Sequence, residues 1–177
     1  MRPNDLSGDE IIWEAGGTTD GASIRLEDST LAVRAIDNGT EVVEASTNIS
    51  SIFSDGEFMQ IVAEIDLTLD EIRLYVDGQL QDTGTTTDDL SDYAGTDTNR
   101  LGSFGNTIGG APVGTFDFFD SDIAIMRFYE DNLLGPDAIA ANFQALLAAE
   151  VPEPTSIAIW TLLGLGLAAM VFYRRRS

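Results

Sequence analysis

FMQIVAEIDLTLDEIRLYVDGQLQDT, running from Phe58 to Thr83, decides the fold. Ile61, Ala63, Ile65 and Leu67 recur at every second position, the repeat of a strand with one apolar face. Thr68-Leu69-Asp70 marks a short turn, after which Ile72, Leu74 and Val76 continue the same alternation. Asp77-Gly78 is a tight-turn dipeptide, because both residues tolerate positive φ, and Gln79–Thr83 then runs back. Consecutive antiparallel strands joined by such short links form a meander. Glu64 and Asp66 fall on the polar side of the alternation and are expected to face water.

The same pattern extends toward the N-terminus. Glu10–Ala15, Ala22–Glu27, Thr30–Ile36 and Thr40–Ser46 each read as a short strand between turn signals, with Asn38-Gly39 a strong hairpin marker. Ser23, Arg25 and Glu27 alternate with Ala22, Ile24 and Leu26, which implies one buried and one wet face. Downstream, residues 84–100 are polar and rich in Thr, Asp and Gly, as in a long surface loop. Leu101–Val113 is glycine-rich, and Val113–Phe119 and Asp122–Glu130 read as the last strands. Gly135-Pro136-Asp137 opens a helix, with proline at its first position and an acid in its first turn. Ile139, Phe143, Leu146 and Leu147 give that helix an apolar stripe. Many short strands closed by one helix predict an all-β antiparallel sandwich over residues 1–149.

Composition narrows the chemistry. The chain has no cysteine, no histidine and no lysine, so thiol chemistry, disulfides and the commonest general base are absent. Residues 1–155 carry six arginines against thirty acids, a formal charge of −24. So acidic a surface repels phosphate backbones and argues against nucleic-acid partners.

Further motifs resemble known families. LYVDGQL (Leu74–Leu80), DIAIMRFYEDNLLGPDAIAANF (Asp122–Phe143) and WEAGGTTDG (Trp13–Gly21) are similar to segments of laminin-G-like, concanavalin-A-like jelly-roll domains. That resemblance implies a jelly-roll sandwich with one short C-terminal packing helix, covering roughly residues 10–148. The closure departs from the family at Gly135-Pro136, where a serine-type cap is commoner, and the upstream part is short. One or more N-terminal strands are therefore expected to be missing, which would leave a sheet edge exposed.

The superfamily includes glucan hydrolases, whose two carboxylates come from one strand as Glu-x-Asp-x-Glu or Glu-x-Asp-x-x-Glu. Glu64-Ile65-Asp66 begins this pattern, but Thr68 and Leu69 stand where the acid/base glutamate is needed. No enzyme is expected; a degenerate glycan hydrolase and a purely structural envelope protein are the alternatives. Cofactors are not expected either. Asp88, Asp89, Asp92 and Asp97, with Asp117, Asp120 and Asp122, offer oxygen ligands for calcium but follow no Asp-x-Asp-x-Asp-Gly loop, so no metal ligand is assigned. Tyr75, Tyr93, Phe118 and Phe119 could stack on sugar rings or serve the core.

The C-terminus has a separate character. Residues 150–156 hold Pro152-Glu153-Pro154; residues 157–173 are uncharged; residues 174–177 contain Arg174, Arg175 and Arg176. As a helix the uncharged run rises about 26 Å, close to a bilayer's hydrocarbon thickness. Trp160 and Tyr173 lie near its ends, and the positive-inside bias places the arginines in the cytoplasm and residues 1–155 outside it. Val151–Ser177 resembles a PEP-CTERM sorting signal, with all three parts in order. That resemblance implies an exosortase-type membrane transpeptidase as partner, a transient inner-membrane anchor, and then the cell surface or extracellular matrix. MRPNDLSGDE has no apolar stretch and no recognisable signal peptide, so Met1 is expected not to be the true start, or the chain to be a fragment. The expected protein is an exported, non-enzymatic surface module that binds polysaccharide or a surface protein.

Overall fold

A computed structural model of the chain describes residues 1–16, 19–37, 41–88, 90, 100–102, 117–129 and 133–150. Met1–Ala141 form one compact unit; a second begins at Asn142, and its described part is the end of the helix.

The first unit is built on two sheets. Strands β1 (Asp9–Gly16), β2 (Gly21–Glu27), β3 (Thr30–Asp37) and β4 (Glu41–Asn48) form successive antiparallel hairpins. Strands β5 (Ile61–Asp66), β6 (Glu71–Val76) and β7 (Gln79–Thr85) form the meander expected from Phe58–Thr83. Two short pieces, β8 (Arg100–Leu101) and β9 (Asp117–Phe118), add to the outer side of β1, β8 antiparallel and β9 parallel. The first sheet therefore runs β4-β3-β2-β1-β8, with β9 also on β1, and the second runs β5-β6-β7.

Local chemistry sets these bounds. Asp77 (φ 50°) and Gly78 (φ 77°) both adopt left-handed geometry between β6 and β7, as a two-residue hairpin turn requires. At the β5–β6 turn the Asp66 carboxylate accepts the Thr68 and Leu69 amides at 3.0 and 3.1 Å, and Asp70 takes φ 53°. Asp70 then accepts the Leu90 amide at 2.9 Å on its side chain, tying the segment after β7 to this turn. Asn38-Gly39 lies outside the described residues, but the Asp37↔Glu41 register closes a hairpin over that place.

The core lies between the sheets. Leu31, Val33, Ala35, Val43 and Ala45 of the first sheet share a buried cluster with Ile72, Leu74 and Val76 of the second. Each fully buried aliphatic side chain contributes roughly 1.5–3 kcal/mol of transfer free energy. Along one side the sheets are joined edge to edge, β4 against β7. Asp82 of β7 accepts the Ser46 amide of β4 at 2.8 Å. Two residues on, Gly84 lies so close to β4 that a Cβ there would stand 2.0 Å from the Glu44 carbonyl oxygen.

Two expectations are corrected. Asp122–Glu130 is not a strand over its described residues: backbone pairing is confined to Asp122, which exchanges bonds of 2.8 and 3.1 Å with Arg2. Alternation reports the spacing of apolar residues, not whether a ladder partner is at hand. Nor is the polar face of the first sheet wet, since Ser23, Arg25 and Glu14 are all buried. The helix α1 (Pro136–Glu150) starts where Gly135-Pro136 placed it, with Ile139 fully buried and Leu146 and Leu147 more than a third exposed.

Candidate functional site

The carboxylates that begin the glucanase-like pattern stand together, but in a closed arrangement. Glu64 and Asp66 on β5 face Arg73 and Glu71 on β6 through the Glu64↔Arg73 and Asp66↔Glu71 register. Arg73 reaches Glu64 at 3.5 Å and Asp66 at 3.1 Å, and also contacts Glu71. Tyr75, one alternation further along, lies within electrostatic reach of Glu64. Glu64 in turn accepts the Gly135 amide at 3.1 Å, which brings the start of α1 onto this face.

The face expected to be wet is thus covered: Glu64 is 5% and Asp66 8% exposed. Burial works against the Asp66 carboxylate, but the Thr68 and Leu69 amides and Arg73 outweigh it and hold the group below its ordinary range. Burial likewise disfavours the Arg73 cation, yet the Glu71 and Asp66 carboxylates raise its pKa above the usual arginine value. Burial first, and then the Glu64 charge, push the Tyr75 phenol up. Every group here is engaged by a neighbour, and Thr68 and Leu69 lie in the exposed turn without a carboxylate to offer. The cluster fastens the meander to the helix start.

The first sheet carries a second polar layer. The Arg25 guanidinium donates to Ser23 Oγ at 2.8 Å and lies 3.7 Å from Glu27, while Arg34 bridges Glu27 and Glu44. Burial, and then the neighbouring Arg34 charge, lower the Arg25 pKa to about 10.

The remaining candidates are dispersed. Asp120 and Asp122 hold the N-terminal segment: the Asn4 amide group donates to the Asp120 carbonyl at 2.8 Å, and Arg2 Nε to the Asp122 carboxylate at 3.1 Å. Asp88 is exposed, and Asp89, Asp92, Asp97 and Tyr93 lie outside the described residues. Among the described residues no group of three or more acidic side chains is placed to hold a metal ion. Tyr75 and Phe119 are buried, whereas Phe118 is 71% exposed on the outer face of β9. The sorting-signal residues Pro152, Glu153 and Pro154, the uncharged run 157–173, and Arg174, Arg175 and Arg176 also lie outside the described residues. Among those described, no helix is long and apolar enough to cross a membrane.

A different group of side chains is open to solvent. Trp13 on β1 is half-buried at the core margin, directly across from Leu101 of β8. The Phe128 ring tilts against Trp13, with centroids 5.5 Å apart and planes at 46°. Phe128 is 67% and Tyr129 55% exposed, with Ile125 and Leu101 exposed beside them in sequence and register. Trp13 and Phe128 form an aromatic platform toward the β1–β8 end of the first sheet, opposite β4 in strand order. Sequence reading missed it by treating DIAIMRFYE as a paired strand. The available signal was the adjacent pair Phe128-Tyr129, which cannot both face a core from one extended segment.

Comparisons with known proteins agree with this architecture. Residues 1–140 match the family model of the concanavalin A-like lectin/glucanases superfamily, and residues 150–176 match the PEP-CTERM protein-sorting motif. That motif implies an exported protein sorted by an exosortase. No curated protein matches the sequence. Among solved structures, the chain is similar to the CBM40 of a Ruminococcus gnavus IT-sialidase, with TM-score 0.60 and 17% identity, over 79% of this chain and 77% of that one. The same organism's CBM40 bound to α2,3-sialyllactose aligns with TM-score 0.47 and 13% identity, over 58% of this chain and 60% of that one. A leech intramolecular trans-sialidase complexed with 2,7-anhydro-Neu5Ac aligns with TM-score 0.48 and 17% identity, over 59% of this chain and 17% of that one.

Proposed function

The chain belongs to the concanavalin A-like lectin/glucanases superfamily, and from that premise we propose that it is a non-catalytic glycan-binding module displayed outside the cell. The observation that carries this reading is the platform of Trp13 and Phe128, with the Phe128 ring 67% exposed. Aromatic faces of this kind stack on the apolar face of a pyranose ring, and rings held open to water cost stability unless something uses them. The CBM40 fold neighbour supports the same class of ligand by analogy.

Catalysis is disfavoured by the state of Glu64 and Asp66. A hydrolytic pair must reach the glycosidic bond from both sides with a spacing of about 5 Å or more. These two are instead covered and engaged by Arg73, Tyr75 and the Gly135 amide. In this reading residues 157–173 anchor the chain in the inner membrane with residues 1–155 outside the cytoplasm, until an exosortase-type transpeptidase acts at Pro152-Glu153-Pro154 and releases the module to the surface or matrix; the match to the PEP-CTERM motif supports it.

A glycan array run with and without calcium tests the proposal. Binding to at least one glycan class is expected, reduced about two- to tenfold in Phe128→Ala, since one aromatic contact is worth about 0.5–1.5 kcal/mol. Absence of binding across the array, or release of reducing sugar from any bound glycan, would overturn it.

A further inference from the structure

Residues 119–127 leave β1 and come back to it. Phe118 pairs with Ile11 of β1, and the Phe128 ring rests on Trp13 of the same strand. Between those two points the chain meets the N-terminal segment. The Asn4 backbone amide donates to Ser121 Oγ at 2.8 Å, and its side chain donates to the Asp120 carbonyl at 2.8 Å. Arg2 and Asp122 exchange backbone bonds of 2.8 and 3.1 Å, and Arg2 Nε donates to the Asp122 carboxylate at 3.1 Å. The same segment is also fixed to the lead-in of the second sheet. Met1 and Met59 exchange two bonds of 2.7 Å just ahead of β5, and the Arg2 guanidinium lies 4.8 Å from the centre of the Phe58 ring. Met59 is buried in the core cluster, against which Met1, Trp13 and Ile123 all pack. Met1–Asn4 is thus a strap from the start of β5 to the middle of the excursion that ends in Phe128.

We propose that this strap positions the aromatic platform, with Arg2 as the positioning residue. The proposal rests on the glycan-binding reading and adds how that site is held. Phe128 is 67% exposed, so its ring takes its place from Trp13 and from the backbone that carries it. A segment tethered at both ends and clamped near its middle has fewer conformations than one tethered at its ends alone. Ordering the ring before a ligand arrives removes that cost from association. The backbone bonds of Arg2 hold any residue at this position, whereas the Asp122 ion pair and the Phe58 ring contact depend on the guanidinium. An exposed ion pair shifts such an equilibrium by up to about fivefold.

The test uses the full chain with Trp160→Phe, which leaves Trp13 as its one tryptophan, so acrylamide quenching of fluorescence reports the platform. Arg2→Gln removes the ion pair, and Arg2→Asp with Asp122→Arg rebuilds it in reverse. Arg2→Cys with Asp122→Cys gives a lock: a hydrogen-bonded antiparallel pair has Cα atoms about 5.5 Å apart, within disulfide range, and the chain has no other cysteine. Arg2→Gln is expected to raise the quenching of Trp13 and to weaken the tightest-binding glycan of the array by about two- to fivefold. The reversed pair restores both. The cysteine pair matches wild type when oxidised and Arg2→Gln when reduced, which separates positioning from folding. A lower melting temperature in Arg2→Gln with unchanged quenching and unchanged glycan binding would mark a merely structural strap and overturn the proposal. Identical quenching by the oxidised and reduced cysteine pair overturns it too. If wild type binds no arrayed glycan, the glycan-binding reading falls, and the quenching comparison alone then supports or overturns the strap.

Discussion

Replacing Gly84 with alanine places a methyl group where the two sheets approach most closely. The added Cβ would lie 2.0 Å from the Glu44 carbonyl oxygen, 2.6 Å from its carbon and 3.2 Å from the Ala45 nitrogen. All three are backbone atoms inside a paired strand, so no side chain can rotate away. Relief requires β7 to move off β4 by more than 1 Å, roughly the shortfall from ordinary carbon–oxygen contact. Overpacking of this kind costs about 1–3 kcal/mol. The same movement stretches the Asp82–Ser46 bond, now 2.8 Å, whose loss adds about 1 kcal/mol. A total of about 2–4 kcal/mol lowers the melting temperature by roughly 8–15 °C for a domain of this size. Calorimetry or circular-dichroism melts of Gly84→Ala, Asp82→Ala and the double variant measure it. If the junction is continuous, the double variant loses less than the sum of the singles. A shift in Gly84→Ala below about 2 °C would show that β7 does not ride on β4, and the edge-to-edge joint described above would be wrong.

Other outcomes follow from the charged turns and the tail. Asp77→Asn is expected to stabilise the domain by up to about 1 kcal/mol near neutral pH. Burial raises the Asp77 pKa, so its stabilising contribution is present at acid pH and lost as pH rises through the native value; asparagine keeps the acceptor for the Gln60 amide, and denaturant midpoints against pH would show the gap closing in acid. Asp66→Asn runs the other way. The depressed pKa means that its contribution is present above the ordinary carboxylate range and lost as pH falls through the native value. The variant is therefore expected to be about 1 kcal/mol weaker than wild type in urea at pH 7, with the two converging in acid as the wild-type carboxylate protonates. Replacing Pro152, Glu153 and Pro154 together with alanine is expected to hold the full-length protein in the membrane fraction, where wild type is released; equal release on fractionation would argue against exosortase processing at this triplet.

Much of the sandwich was legible because strand periodicity and turn chemistry agree locally. Ile72, Leu74 and Val76 alternate in the sequence and line the core in the fold, and Asp77-Gly78 makes the turn its residue types demand. Less legible was anything that depends on a third element. Glu64 and Asp66 alternate as residues of a wet face should, but Arg73 lies across them and the Gly135 amide arrives from seventy-one positions away. Arg25 and Ser23 show the same limit on the other sheet: alternation encodes polarity, and a polar row can be buried once its members bond one another. The platform at Trp13 and Phe128 joins residues far apart in the chain, so no local pattern could announce it. Its one local trace was two neighbouring aromatics in a segment whose strand ladder does not form.

Among the described residues three non-glycine residues take positive φ, and all three are aspartates: Asp28, Asp70 and Asp77. Asparagine adopts that geometry as readily, so the backbone asks only for a short polar side chain there. At these turns the choice of acid over amide leaves the chain's path unchanged and shifts its charge by one unit each time. Architecture and net charge can thus drift independently: exchanging all three would move the formal charge from −21 to −18 while the hairpins keep their path.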